Sequence, residues 1–291
     1  MRLVITGASG QLCRCVAELV LGAAAPADLI LTTRTPEALA SFAARGVVVR
    51  HADFAAPETL RAAFAGGARL LLVSATDLER RIVQHQRAID AAKAAGVRHV
   101  IYTSGLKPAP PNPAVVAPSH HATEQALVRS GLGWTVLRNS LYADYQLSEA
   151  QRVLETGALV HNRGGGRVAY VARKDCAAAA AAVLLAGGHD RAVYEITGSE
   201  TFTADELAGL YGELGGRAVR SRALDDAEFV ATLIGNVVAD DHLRYGAELV
   251  ASFGRSIREG YMDSCTDAVE ELTGRAPLTL RQVLAPLGAQ Q

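Results

Sequence analysis

The sequence predicts a doubly wound α/β fold, a parallel sheet with helices on both faces, joined to a smaller, mainly helical C-terminal domain. Three observations carry that expectation. Short β-rich runs alternate with longer helical patterns at the spacing of βαβ units. Several of these runs are unbroken Val/Ile/Leu segments, as strands buried on both faces require. After Gly198 the texture changes to helical patterns with little strand.

The expected strands are Arg2 to Thr6, Leu29 to Thr33, Val47 to His51, Leu70 to Ser74, His99 to Thr103, Trp134 to Arg138 and Val193 to Thr197. Between them the pattern predicts helices such as Glu79 to Ala95 and Glu124 to Ser130, each followed by a glycine that tolerates the left-handed conformation. Five prolines between Lys107 and Pro118 interrupt the pattern after the fifth strand and predict a loop over the C-terminal edge of the sheet, where loops shape substrate sites. Ala177 to Ala182, an unbroken alanine run behind Asp175, suits a closely packed helix. Thr203-Ala-Asp-Glu206 is a capping box that opens the helical tail. The expected division is residues 1–199 for the sheet domain and 200–291 for a smaller covering domain, with a contribution from 140–165.

A chain of 291 residues can bury a sizeable core without disulfide or metal. Its formal net charge of −1 offers no surface for a polyanion, so nucleic acid is not an expected partner. Cys13, Cys15, Cys176 and Cys265 have no zinc-ligand spacing, which fits reduced thiols in a cytoplasm. The apolar stretch from Val16 to Leu31 is broken by Glu18, Pro26 and Asp28, so neither a signal peptide nor a membrane span is expected. Oligomeric state is not fixed by the sequence, and a homodimer is compatible with it.

Strand residues Leu3-Val4-Ile5 run into Thr6-Gly7-Ala8-Ser9-Gly10-Gln11-Leu12-Cys13 and then into a helical pattern. Strand, glycine turn and helix in this order form the Rossmann dinucleotide site. Gly7 allows the turn, Gly10 lets the backbone approach a pyrophosphate, and the amides of Ser9, Gln11 and Leu12 lie at the helix N-terminus that meets its charge. The competing reading is an ordinary glycine turn, and the βαβ context argues against it. Cys13 stands where a third glycine would permit close helix packing. At the end of the second strand an acid would bind the ribose of NAD; the sequence has Thr32-Thr33-Arg34, and the planar fork of Arg34 suits a 2′-phosphate, which points to NADPH unless Arg34 is a solvated surface residue. Asp53 is placed either to meet the adenine edge or to make a turn.

These residues, with Arg34-Thr-Pro36, Gln84-His85, Ala91-Ala-Lys-Ala-Ala-Gly-Val97, Tyr102-Thr-Ser104, His120-His-Ala-Thr-Glu124, Leu137-Arg-Asn139 and Tyr142, resemble the NmrA-like atypical short-chain dehydrogenases. The likeness is greatest to the branch of NAD(P)H:quinone oxidoreductases and triphenylmethane dye reductases and covers nearly the whole chain. It implies NADPH across the C-terminal edge of the sheet and a small-molecule electron acceptor between the two domains.

Ordinary short-chain dehydrogenases use a Tyr-x-x-x-Lys pair for proton donation. Tyr170 and Lys174 have that spacing but lie well past the fifth strand in a strand-like stretch, Arg167 to Ala172, so they are not read as catalytic. The resemblance places His120 and Glu124, at i and i+4, in the positions of that pair. Hydride addition to a quinone leaves a delocalised phenolate, which needs no strong acid, so His120 would orient the acceptor as imidazole or imidazolium, or else only orient the proline-rich loop. Ser74, Thr103, Ser104 and Lys107 stand at strand ends near the expected nicotinamide. Tyr142 and Tyr145 either wall the acceptor or pack in the core. The functional expectation is an NADPH-dependent reductase of quinones or related conjugated electrophiles. A regulator that senses NADP(H) without turnover is the alternative, and isomerisation with a tightly held cofactor has no distinctive residue behind it.

Overall fold

The computed structural model describes residues 1–235 and 241–290. Seven strands form a parallel sheet: β1 (Leu3–Ile5), β2 (Leu29–Thr33), β3 (Val48–His51), β4 (Arg69–Leu72), β5 (His99–Gly105), β6 (Gly133–Asn139) and β8 (Ala192–Ile196), in the order β3-β2-β1-β4-β5-β6-β8. Chain direction across the sheet reverses between β1 and β4, which opens a crevice at their C-terminal ends, the usual ligand position in such sheets.

The connecting helices are α1 (Gln11–Leu21), the short α2 (Ala40–Ala43) and α3 (Leu60–Phe64), α4 (Arg81–Ala94), α5 (Ala117–Arg129), α6 (Tyr145–Thr156) and α7 (Arg173–Leu185). Alternation within β1 explains its unbroken apolar run: Leu3 and Ile5 face a core shared with α1 and α7, while Val4 faces a second core with Phe64, Ile89 and Leu127. The alanine run of α7 is buried against α1, where small side chains let the two helices approach closely. Pro118, expected in the loop, lies in the first turn of α5, where its missing N–H costs nothing.

Beyond the sheet come β7 (Ala158–His161), α8 (Ala204–Leu214), β9 (Arg220–Ala223), α9 (Asp226–Ile234), α10 (Asp241–Arg258), α11 (Ala268–Thr273) and α12 (Leu280–Leu284). Residues 236–240 and 291 of the predicted covering domain lie outside the described residues. A third buried cluster joins Ala143, Ala150 and Leu159 to Leu207, Tyr211 and Ile257, so the segment after β6 packs with the C-terminal helices. Ala268 and Val269 of α11 instead return to the first core beside α7.

The unexpected element is a second, two-stranded sheet in which β7 and β9 pair in parallel. Arg220-Ser-Arg-Ala223 has no apolar alternation, so its strand form comes from pairing with β7 and not from its own propensity. The strand-like stretch from Arg167 to Ala172 makes only isolated bridges, Val168 to Phe202 and Val171 to Tyr142.

Candidate functional site

Two cavities lie along the C-terminal edge of the sheet. One, of about 660 Å³, runs over the glycine loop and the ends of β2 and β4. The other, of about 580 Å³, lies between the sheet and the C-terminal layer. They meet at Ser74, Tyr142 and Tyr145, which line both.

The first cavity has the construction of a dinucleotide groove. Gly7 has φ +59°, and Gly10 N donates to Gly7 O at 2.9 Å, closing the turn that leads into α1. Gly10 caps α1 without a side-chain hydrogen bond, and the first turn holds no acidic residue, so its backbone amides stay available to an anion. Thr33 Oγ1 donates to Ser9 Oγ at 3.1 Å, tying the glycine loop to the end of β2. Gly7, Ser9, Gly10, Gln11, Leu12, Arg34 and Asp53 all line this groove. Arg34 is exposed and has no carboxylate within ion-pair distance among the described residues. Asp53 Oδ1 accepts from Ala55 N at 2.9 Å, so it makes its turn while still facing the groove. The Cys13 thiol is buried behind the loop, donates to Thr6 O at 3.3 Å, and is pushed up to about 12 by burial. It fills the space that a third glycine leaves for helix packing.

In the wall of the second cavity, His120 is buried between two partners. Arg81 Nη1 approaches Nε2 at 3.4 Å, and Tyr102 Oη lies 2.8 Å from Nδ1. A guanidinium only donates, so Nε2 is the acceptor nitrogen and Nδ1–H donates to Tyr102. Burial first, and then the charge of Arg81, lower the His120 pKa to about 3. The imidazolium allowed by the sequence is therefore excluded near neutrality, and the neutral ring has no N–H left for a ligand. Burial also raises the Tyr102 and Tyr142 hydroxyls above the usual phenol range. None of these groups changes its protonation near neutral pH.

Arg81 was not visible as a site residue. In sequence it belongs to the charged Glu79-Arg80-Arg81, which reads as a solvated helix start. In the fold it is 6% exposed and lines the second cavity, with Nε donating to Ala75 O at 2.7 Å and Nη1 to Ser119 Oγ at 3.3 Å. His85 Nε2 accepts from Ala75 N at 2.9 Å, so α4 grips Ala75 from both sides. Asn139 and Ser140, also missed as site residues, line the second cavity, and Asn139 Oδ1 and Ser140 Oγ are buried without a hydrogen-bond partner. Orphaned polar atoms of this kind call for a ligand.

Other expected residues are placed elsewhere. Glu124 lines neither cavity: its carboxylate accepts from Arg138 at 2.7 and 3.0 Å and from Ser104 Oγ at 2.7 Å, a buried strut between α5 and the ends of β5 and β6. Lys107 is drawn away by Asp263 at 2.8 Å and by Gly260 O at 3.1 Å. Thr103 and Ser104 line the second cavity rather than the groove, with Thr103 Oγ1 accepting from Ser74 N at 3.1 Å. Tyr170 Oη accepts from Arg163, and Lys174 is exposed on α7, so that spacing makes no catalytic pair. Tyr142 and Tyr145 wall both cavities, with the Arg173 guanidinium over the two rings at 5.2 and 5.3 Å.

The buried histidines predict a pH dependence of stability. His85, like His120, is lowered to about 3, first by burial and then by Arg81. Above pH ~6.5 neither the folded nor the unfolded chain protonates these rings. Below it the unfolded chain takes up protons that the fold refuses, so stability falls steadily toward pH 3. Each ring should cost about 2 kcal/mol at pH 5 relative to pH 7. Urea unfolding at the two pH values checks this, and His120→Asn should flatten the slope; equal stabilities would show that the rings protonate inside the fold.

Residues 7–186 match the family model described as NAD(P)H-binding. The chain is 34% identical over 285 residues to quinone oxidoreductase 2 of Escherichia coli, covering 98% of both proteins. The structure of the E. coli NADPH-dependent quinone oxidoreductase complexed with NADPH superposes with a TM-score of 0.92 at 34% identity, covering 98% of this chain and 99% of that one. Triphenylmethane reductase of Citrobacter sp. complexed with NADP(H) gives 0.90 at 32% identity over 99% of this chain and 100% of that one. From the glycine loop to the C-terminal helices, the chain belongs to the NmrA-like branch of the NAD(P)H-binding family.

Proposed function

We propose that the protein is an NADPH-dependent oxidoreductase that passes a hydride to a quinone or related conjugated electrophile, acting in the cytoplasm. The observation that carries this reading is the junction itself. A groove fit for a dinucleotide opens onto a second cavity in which His120 and Tyr142, with Tyr102 behind His120, are held neutral. An isolated ketone needs a proton as its alkoxide forms, and the groups here are poor donors: burial makes the Tyr102 and Tyr142 hydroxyls weaker acids, and His120 spends its N–H on Tyr102. A quinone does not, because its phenolate is delocalised and takes its proton from solvent afterwards.

NADPH supplies the hydride when bound. Gly7, Gly10 and the amides opening α1 would hold its pyrophosphate, Ser9 and Arg34 its 2′-phosphate, and Asn139 Oδ1 offers an acceptor to an amide at the junction. Arg81 would direct N–H groups at the acceptor oxygen that gains charge, with His120 fixing the guanidinium in place. Tyr142 and Tyr145 would keep acceptor and nicotinamide face to face, which is most of what hydride transfer between bound rings requires. Among the described residues no helix is long and apolar enough to cross a membrane.

Oxidation of NADPH followed at its near-ultraviolet absorbance, with and without a panel of quinones, tests the reading. Quinone-dependent oxidation is expected; none with any quinone would favour a sensor of NADP(H). Arg34→Ala should weaken NADPH about tenfold to a hundredfold, the loss of one charge-assisted contact, and leave NADH nearly unchanged. Equal losses for both cofactors in a calorimetric titration would remove Arg34 from the 2′-phosphate.

A further inference from the structure

The second cavity carries more positive charge than hydride transfer to a neutral quinone, which calls on Arg81 alone, explains. Its charged lining, among the described residues, is Arg81, Arg152, Arg163 and a single acid, Glu149. Glu149 is already engaged, accepting from Arg152 at 2.8 Å. Arg81 and Arg163 have no carboxylate within ion-pair distance among the described residues, although Arg81 is 6% exposed. Arg163 donates to Tyr170 Oη at 2.9 Å, and Tyr170 is itself buried in the third core cluster, which fixes the guanidinium on the C-terminal wall. Arg81 stands at the other boundary, bonded to Ala75 of the cofactor groove. Enclosing a guanidinium with no carboxylate in contact is costly, and the cost falls when a ligand brings an anion to it.

We propose that the acceptor carries a permanent negative charge, a carboxylate, sulfonate or phosphate on its conjugated ring system, seated at Arg163 while its reacting end faces Arg81. This rests on the reductase reading and narrows it: anionic quinones are preferred over neutral ones, and cationic dyes are the poorest ligands of the three classes. Leu106, Leu141 and Phe253 line the same cavity and give it the apolar surface that suits a ring system joining the two ends.

Calorimetric titration of the NADP⁺-saturated protein with naphthalene-2-sulfonate and with naphthalene-2-methanol tests the inference without turnover. The sulfonate should bind at least about tenfold more tightly, the effect of one charge-assisted contact. Arg163→Met should abolish the preference, Arg163→Lys should keep most of it, and a thermal melt confirms that each variant is folded. In turnover, Arg163→Met should raise KM for 1,4-naphthoquinone-2-sulfonate about tenfold or more and leave 1,4-naphthoquinone within about twofold. Equal binding of the two naphthalenes by the wild type, or equal losses for both in Arg163→Met, overturns the proposal. A persistent sulfonate preference without turnover of any quinone would instead overturn the reductase reading alone.

Discussion

Gly10→Val should abolish NADPH binding while leaving a folded protein. At φ −73° and ψ 156° the backbone of Gly10 is extended, a conformation valine adopts readily. A Cβ placed there meets Gly7 O at 3.3 Å, a tight contact that the turn relieves by a small shift, and the rest of its surroundings within 4 Å is open space. That space is the groove over the first turn of α1, where the pyrophosphate would come to the amides. An isopropyl group there displaces the phosphates and shields the N–H groups together, and the affinity should fall by about a thousandfold or more, past the range of an ordinary contact. Circular dichroism and a thermal melt without cofactor should match the wild type. A folded variant that binds NADPH with undiminished affinity would show that the phosphates lie elsewhere.

The second large effect should come from Arg81→Met, with kcat/KM for a quinone falling about a hundredfold to a thousandfold, the usual range for removing a donor from a developing oxyanion. Most of the loss should appear in kcat, because the negative charge that Arg81 meets is greatest in the transition state. NADPH affinity should change little. Arg81→Lys keeps the charge but not the fork that reaches Ala75, Ser119 and His120 together, so it should recover part of kcat. His120→Ala should cost less, about tenfold to a hundredfold, because it loosens the guanidinium without removing it. Full activity in Arg81→Met would assign the residue to the grip on Ala75 alone.

What was legible in the sequence follows from which interactions are local. The strands of the main sheet announce themselves because burial on both faces demands unbroken apolar runs, and the glycine loop because strand, turn and helix are consecutive. β9 was not legible: its Arg-Ser-Arg-Ala takes strand form only from a partner more than sixty residues earlier in the chain. Glu124 read as a member of a catalytic pair because its spacing from His120 is right for one helix face. Arg138, which claims its carboxylate, comes from a neighbouring strand, and no spacing within α5 reports that. Arg81 failed for the opposite reason. Its neighbours in sequence, Arg80 and Ile82, are exposed, whereas its neighbours in space are Ala75, Ser119 and His120.

The return of α11 to the first core has a consequence for how the protein is made. Ala268 and Val269 fill the face of the sheet packed by α1 and α7, so the nucleotide-binding half is completed by residues from near the far end of the chain. A truncation after residue 199 would remove Ala268 and Val269 and uncover part of that face. During synthesis the first βαβ units emerge early, yet this half cannot reach its final packing until the ribosome has delivered nearly all of the polypeptide.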